Sequence, residues 1–267
     1  MLVICNGAYK SGSTWLFNIV GQLADFSFPP PAYQNREWRN PSIDPAKLKQ
    51  FIDAVDFADR NYISKQHLAD RRERDLLLAT PNLFVLDIER DLRDVVVSAY
   101  HHHRRVGRFV GTIDQFYWTE GRLIAHQVCR YHEVWRGRPD KVFVASYEAL
   151  HADFVAEVQR IAAFLQLPAP PTLIERIAGE TTIDRLRAKY GETGRPAEQQ
   201  FFRKGRVGSW QDCLSAPILE ELGAIQVHGL AWPQQVQCRV RSKLHRALRA
   251  YPSRLFGRAT RRMQARP

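Results

Sequence analysis

A glycine loop near the start of the chain carries the first residues that could do chemistry. Gly7 and Gly12 bracket Lys10 in the run NGAYKSGSTW, which follows the apolar stretch Leu2–Cys5. The glycines let the backbone turn tightly and approach a ligand closely. Apolar residues recur at helical spacing from Ser13 onward, so we expect the free backbone N–H groups of a helix start to face a phosphate here.

The lysine of this loop is displaced relative to the Walker A motif of nucleotide-binding proteins, G-x-x-x-x-G-K-[ST]. Gly7 and Gly12 have the Walker spacing, but Ser13 occupies the lysine position and Lys10 lies two residues before the second glycine. An ATPase or kinase would lose its phosphate-bridging lysine in this arrangement. A P-loop kinase or NTPase, which would need ATP and Mg²⁺, is one alternative. The motifs in the rest of the chain have to support or exclude it.

A second segment that suits a phosphate lies far along the chain, in the run FFRKGRVGSWQD at residues 201–212. Arg203 and Lys204 precede Gly205, so two cations and a close backbone N–H group would surround a dianion. The simpler alternative is a basic loop that holds no ligand.

A third candidate pair follows the apolar run Leu83–Ile88. Arg90 and Ser98 are eight positions apart, with Asp94 between them. An arginine suits phosphate recognition because its planar guanidinium can meet two phosphate oxygens at once. We expect Asp91 to cap a helix that begins here. The simpler alternative is an amphipathic helix with an incidental surface arginine.

His67 is a candidate functional residue, because it follows the predicted strand Asn61–Gln66. In a parallel α/β sheet, ligands bind beyond the carboxyl ends of the strands, where this residue would lie. A histidine suits proton transfer because its pKa is near neutral. A solvent-exposed histidine ahead of a helix would give the same pattern.

The run His101, His102 and His103 invites a metal site. Three consecutive side chains on a helix point to different faces, so they cannot easily converge on one ion. We therefore expect a solvated helix end there. No carboxylate cluster that would hold Mg²⁺ is evident near the glycine loop, and we predict no metal.

These segments, in this order, resemble the motifs of PAPS-dependent sulfotransferases, where PAPS is 3′-phosphoadenosine 5′-phosphosulfate. The run YKSGSTW is similar to the family's P-K-S-G-T-T-W loop, and Lys65–Leu68 is similar to K-T-H-L. The spacing of Arg90, Asp94 and Ser98 matches R-x-x-x-D-x-x-x-S, and FRKGRVGSW resembles R-K-G-x-x-G-D-W. Positions that depart from the family's residues include Tyr9, Ala69, Ala149 and Ser209.

The resemblance implies an enzyme that transfers a sulfonyl group from PAPS to an acceptor hydroxyl or amine. His67 would take the acceptor proton as general base, and Lys10 would stabilise charge on the leaving phosphate. Lys65 is grouped with them as catalytic. The residues that the resemblance assigns to the nucleotide are Lys10, Ser11, Gly12, Ser13, Thr14, Trp15, Arg90, Ser98, Tyr147, Thr181, Arg203, Lys204 and Gly205.

Strand and helix patterns alternate along the chain. The four predicted strands are Leu2–Cys5, Asn61–Gln66, Leu83–Ile88 and Lys141–Ala145. Helices are predicted between and after them, among them Thr112–Trp135, Phe154–Leu165 and Pro217–Val227. We predict an α/β, P-loop-like fold with a parallel β-sheet of four to five strands, flanked by helices on both faces.

Basic residues are concentrated at the end of the chain. Of 39 Lys and Arg residues, ten lie in residues 236–267, which contain no Asp or Glu. We therefore divide the chain into an α/β domain, 1–235, and a basic C-terminal helical tail, 236–267. Because the domain is nearly neutral, the net charge of +11 gives little support to nucleic-acid binding, and we expect no specific nucleic-acid partner. A non-catalytic nucleotide- or nucleic-acid-binding module that uses the basic tail is the second alternative.

The tail has apolar residues at helical spacing among its arginines, including Val240 and Leu244. It is either a basic amphipathic helix on an anionic membrane surface or a poorly ordered cationic extension. No uncharged apolar run approaches the ~20 residues of a membrane span. With four scattered cysteines, we expect a reduced, cytoplasmic location, with peripheral membrane contact through the tail as an open alternative.

The acceptor has no motif of its own. We predict a hydroxyl-bearing small molecule, glycan or lipid. Residues 25–60 begin with a long connection that contains three consecutive prolines. Long loops in compact domains are often functional, so we expect this region to help form the acceptor pocket.

Overall fold

The computed structural model describes residues 1–35, 40–191 and 205–245. A parallel sheet in the order β2-β1-β3-β4 lies at its centre. The strands are β1 (Leu2–Gly7), β2 (Tyr62–Lys65), β3 (Leu83–Glu89) and β4 (Val142–Ser146). The four strands predicted from the apolar runs are all present. β2 and β3 lie on opposite sides of β1, so the direction in which strands are added reverses there. Such a reversal opens a crevice at the carboxyl ends of the strands.

Helices surround the sheet, as the sequence predicted. In chain order they are α1 (Ser13–Val20), α2 (Leu48–Ala54), α3 (Arg71–Ala79), α4 (Leu92–Arg105), α5 (Ile113–Phe116), α6 (Arg122–Trp135), α7 (Tyr147–Ala152), α8 (Phe154–Phe164), α9 (Pro171–Glu180), α10 (Ile183–Gly191), α11 (Ala216–His228) and α12 (232–245). A π-helical turn, Tyr117–Gly121, joins α5 to α6. The single helix predicted over Thr112–Trp135 is therefore helical throughout but changes its hydrogen-bond pattern.

The sheet has a hydrophobic core on each face because side chains alternate along every strand. In β1, Leu2 and Ile4 pack into one core, while Val3 and Cys5 pack into the other. Residues of α4, α6 and α11 contribute to the first core, and residues of α1, α8 and α9 contribute to the second. Burial on both faces explains why β1 begins with the continuous apolar run Leu2–Cys5.

Helix α12 begins at residue 232 and so crosses the boundary that the sequence placed at 235. Cys238 is fully buried in the first core, and Ser242 is buried as well. The first part of the basic tail therefore packs against the α/β domain, while residues 246–267 lie outside the described residues. Within the described ranges, we find no helix that is both long enough and apolar enough to cross a membrane.

Candidate active site

The glycine loop joins β1 to α1 in a conformation that few side chains tolerate. Gly12 has a φ of 104°, and a Cβ atom there would lie 2.7 Å from Cδ2 of Tyr147. Lys10 also has a positive φ, 65°, which is uncommon for a residue other than glycine. Backbone strain of this kind clusters at binding sites, where the surrounding structure maintains it.

This loop borders a cavity of about 770 Å³, here named the phosphate-loop cavity, at the carboxyl ends of the strands. Its lining brings together most of the predicted site residues: Lys10, Gly12, Ser13, Thr14, Trp15, Lys65, His67, Arg90, Ser98, Tyr147, Thr181 and Gly205. Ser11 is fully buried in the same loop but does not line the cavity. Arg203 and Lys204 lie outside the described residues.

Three buried polar atoms in these segments have no hydrogen-bond partner in the described part of the chain: Ser11 Oγ, Trp15 Nε1 and Arg90 Nε. A buried polar atom without a partner costs about 1–3 kcal/mol. An indole N–H and a guanidinium N–H can only donate, so a ligand that satisfies them must offer acceptor oxygens. A phosphorylated nucleotide therefore fits the residues that are present.

Cations crowd the phosphate-loop cavity. Burial, with the positive charges of Arg105, Arg90 and Lys65, lowers the pKa of Lys10 to about 7. An anion bound among these groups would favour the charged form of the lysine and raise its pKa again. The cavity therefore favours a ligand with several negative charges.

The imidazole of His67 is held at both nitrogens. Nδ1 donates to the carbonyl oxygen of Gly7 at 2.6 Å, and Nε2 lies 2.8 Å from Nζ of Lys65, which donates to it. Because a carbonyl only accepts, Nδ1 carries the proton and Nε2 presents a lone pair. Burial, with the charges of Lys65 and Lys10, lowers the pKa of His67 to about 4, although the bond to Gly7 works against this shift. The ring is therefore neutral at neutral pH.

Lys65 ends β2 and is buried beside His67. Burial lowers the pKa of Lys65 to about 8, so its ammonium group still predominates at neutral pH. This ammonium group reaches the lone pair that a general base would offer.

A second cavity of about 1100 Å³ lies beside His67 and is named the α6–α12 cavity. Tyr9 and His67 line both cavities. Its other walls include residues 123–131 on α6 and the α12 residues Gln235, Arg239 and Ser242. The described residues between 25 and 60 contribute nothing to this lining, although Asn40 and Ser42 line the phosphate-loop cavity.

Asp94 has a role that the sequence did not reveal. Its carboxylate accepts hydrogen bonds from the backbone N–H groups of Gly208, at 2.8 Å, and Trp210, at 3.2 Å. The guanidinium of Arg93 stacks on the Trp210 ring at 3.7 Å. The first turn of α4 therefore fastens the segment that follows Gly205. An acidic residue four positions after Arg90 was the only signal, and it does not identify its distant partners.

Arg90 is positioned by contacts with three other segments. Its guanidinium stacks on Tyr147 at 4.1 Å and donates to the carbonyl oxygens of Lys10, at 3.5 Å, and Arg206, at 3.3 Å. Asp91 caps α4 through the N–H of Arg93, as predicted. Arg90 therefore joins the glycine loop to the segment after Gly205.

The prediction of a solvated helix end at residues 101–103 is wrong. All three histidines are half-buried. His101 and His102 line the phosphate-loop cavity, while His103 lines the α6–α12 cavity and contacts Glu120 at 2.7 Å. The three histidines do not all line the same cavity, and the last turn of α4 lies between two cavities instead of in solvent.

One set of side chains in the described residues could approach a metal ion: Asp87, Glu89 and His132. His132 Nδ1 lies 2.9 Å from Asp87 Oδ2, and Glu89 also contacts Arg136 at 3.5 Å. These residues line neither cavity, so the cluster plays no part in the site described here.

Fold and site together define a class of protein, an α/β protein with a glycine loop at the carboxyl ends of its strands and a buried histidine between two cavities. The family model for the sulfotransferase domain matches residues 2–228. A flavonol sulfotransferase-like protein of Flaveria bidentis is 23% identical over 251 residues, covering 82% of this chain and 78% of the relative. Human sulfotransferase 6B1 is 24% identical over 212 residues, covering 77% and 68%.

Solved structures show the same fold. Mouse sulfotransferase SULT7A1, complexed with PAP, superposes with a TM-score of 0.65 at 19% identity, covering 95% of this chain and 88% of that one. Retinol dehydratase in complex with androsterone and PAP gives 0.59 at 19% identity, covering 87% and 82%. The chain belongs to the sulfotransferase domain family. It is an enzyme that transfers a sulfonyl group from PAPS, so the kinase and binding-module alternatives are set aside.

Proposed function

We propose that His67 acts as the general base for sulfonyl transfer from PAPS in the phosphate-loop cavity to a hydroxyl group in the α6–α12 cavity. The observation that carries this proposal is the position of His67, which lines both cavities. Its Nδ1 proton is held by Gly7, so the nitrogen left to accept a proton is Nε2. A base must reach the proton that it removes, and this residue borders the space of both substrates.

The reaction balances with the groups present. PAPS supplies the sulfonyl group. The acceptor oxygen forms a bond to sulfur, its proton passes to His67 Nε2, and the bond from sulfur to the 5′-phosphate oxygen breaks. Negative charge then develops on the leaving phosphate, and Lys10 stabilises it as a cation in a site shielded from water. Positioning and electrostatics supply most of the catalysis, as in phosphoryl transfer.

Lys65 controls access to the base. Its ammonium group donates to the Nε2 lone pair at 2.8 Å. An acceptor hydroxyl therefore has to replace this bond before it can give up its proton. With an anionic donor bound nearby, the ammonium group gains an alternative partner and releases His67.

The nucleotide assignments follow the lining of the phosphate-loop cavity. Loop residues 10–15 would hold the 5′-phosphate at the start of α1, and Arg90 with Ser98 would hold the 3′-phosphate. Tyr147 and Thr181 would border the nucleoside. The unpartnered N–H groups of Trp15 and Arg90 support these roles, while Arg203 and Lys204 remain predictions from the family motif.

The acceptor is proposed to be a hydroxyl-bearing small molecule, glycan or lipid. A relative named for flavonols and a structure holding androsterone support a hydroxyl group, as statements about those proteins. Residues 25–60, which we expected at the acceptor pocket, are absent from the described lining of the α6–α12 cavity. A cytoplasmic location and contact of the tail with a membrane surface stay predictions, the first supported by a relative named cytosolic sulfotransferase 12.

The variant His67→Asn tests the proposal. Its amide N–H can replace Nδ1 in the bond to Gly7, but no basic nitrogen remains. With phenol, which keeps its proton at neutral pH, as the acceptor probe, we expect kcat to fall about 10²–10⁴-fold, while calorimetry shows unchanged binding of PAP. His228→Asn, on the exposed end of α11, is the matched control. Retention of wild-type kcat in His67→Asn would refute the role of the base.

A further inference from the structure

Charge is distributed unevenly around the α6–α12 cavity. The charged residues in its described lining, other than histidines, are Arg108, Glu120, Arg130 and Arg239. The only acid among them, Glu120, is already engaged, because it lies 2.7 Å from His103 Nδ1 and accepts a hydrogen bond from Ser242 at 3.1 Å. The lining therefore has an excess of positive charge.

Two of the three arginines are available to a ligand. Arg130 forms an ion pair with Glu133 at 2.5 Å. Within the described residues, Arg108 and Arg239 have no carboxylate within ion-pair distance. Their guanidinium groups present several N–H donors in a planar arrangement that matches carboxylate, sulfate and phosphate.

Helix α12 gives Arg239 a fixed position. Gln235, Arg239 and Ser242 lie at i, i+4 and i+7, so one face of the helix borders the cavity. Cys238 anchors the helix in the first core, and Ser242 joins it to Glu120. The basic segment that the sequence assigned to a tail therefore carries part of the cavity wall.

Arg108 lines the same cavity as Arg239. It follows α4 and lies near enough to Tyr9, which both cavities share, to act on its pKa. Burial raises the pKa of Tyr9 to about 12, and the charge of Arg108 opposes that rise. Leu123, Ile124 and Val128 of α6 add apolar surface to the lining. The cavity therefore combines apolar surface with cationic groups.

We propose that the acceptor carries an anionic group in addition to its reactive hydroxyl, and that Arg108 and Arg239 bind this group. The chemical class is a hydroxyl compound with a carboxylate, sulfate or phosphate. The proposal rests on the proposed function, because the hydroxyl must reach His67 while the anion lies toward α12. Arg108 and Arg239 are specificity-determining residues in this reaction and take no part in proton transfer.

Two matched phenols test this inference. The probes are 4-hydroxyphenylacetate and 4-hydroxyphenylacetamide, which differ in charge but hardly in size. For the wild-type enzyme we expect kcat/KM to be about tenfold higher with the carboxylate, from one or two exposed charge-assisted hydrogen bonds. In Arg108→Gln and Arg239→Gln, the KM for the carboxylate should rise and the preference should disappear, while the amide is used as before. Arg138→Gln, whose arginine lines neither cavity, is the control.

The outcomes separate this inference from the proposed function. Four outcomes would overturn the anionic acceptor. They are an equal kcat/KM for the two probes, a higher kcat/KM for the amide, turnover of neither probe, and an equal loss with both probes in the arginine variants. Turnover of phenol that depends on His67 would then leave the proposed function standing. If that turnover does not depend on His67, the proposed function itself is refuted. Binding of PAP should be unchanged in both arginine variants, which shows that they fold.

Discussion

The two cavities that share His67 are built in different ways. The phosphate-loop cavity is formed by short segments that follow strand ends, and most of them carry a recognisable motif. The α6–α12 cavity is formed mainly by the sides of helices, with residues that have no motif. A donor that is the same throughout a family can be held by fixed local loops. In our proposal an acceptor that differs between enzymes would be bound by side chains on helix faces, where substitution leaves the backbone intact.

Lys10→Met gives the largest effect expected on the donor side. Loss of the cation should lower kcat about 10²–10³-fold, as for removal of one group that stabilises developing charge. Because Lys10 lines only the phosphate-loop cavity, the loss should be the same for 4-hydroxyphenylacetate and 4-hydroxyphenylacetamide. Steady-state kinetics with both probes measures it, with Lys49→Met on exposed α2 as the control. A loss of kcat with only one of the two probes would contradict the division of roles between the two cavities.

Gly12→Ala should affect donor binding and stability but not the choice of acceptor. The φ of 104° and the Cβ contact of 2.7 Å with Tyr147 predict a loss of about 1–3 kcal/mol in the free energy of unfolding. Gly223→Ala is the matched control, since its added Cβ meets nothing within 4 Å and alanine favours a helix. Thermal unfolding and titration with PAP measure both effects. Equal stability of the two variants would contradict the strained loop.

The pH dependence should reflect one group from each side of the reaction. In the proposed mechanism His67 is a neutral base, so kcat/KM for PAPS should fall as pH drops through its pKa of about 4. In the same proposal Lys10 is a cation, so kcat/KM should also fall as pH rises through its pKa of about 7 in the free enzyme. Each limb should approach about a tenfold change per pH unit.

Lys10→Arg sharpens this test, because a guanidinium keeps its charge at high pH. The alkaline limb should move upward in this variant while the acid limb stays in place. A profile of kcat/KM against pH for both proteins, taken on the short timescale before unfolding, gives the answer. An alkaline limb that does not move would assign it to another group, with Lys65 as the next candidate.

Much of the donor side could be predicted because its information is local. The glycines, Lys10 and Arg90 lie next to strand ends, and the parallel topology requires those ends to meet. The sequence predicted four strands, and their order places these segments around one cavity. The partners of Asp94 could not be predicted in this way, since more than a hundred positions separate it from Gly208.

The acceptor side shows the limit of such inference. Residues 101–103 were predicted to be a solvated helix end, but the last turn of α4 packs between the two cavities. The basic residues after 235 were assigned to a tail, yet Cys238 and Ser242 hold α12 against the domain. The spacing of apolar residues predicts that a helix has an apolar face, but not which distant part of the protein that face packs against.

The sequence by itself determined the family resemblance, the parallel sheet and the residues around the phosphate loop, because these depend on local backbone chemistry and strand alternation. Only the tertiary structure decided that His67 lies between two cavities, and that Lys65 and Gly7 fix its proton. It also decided that Arg108 and Arg239 border the same space. These relations join residues that are distant in sequence, and only the packing of helices on the sheet brings them together.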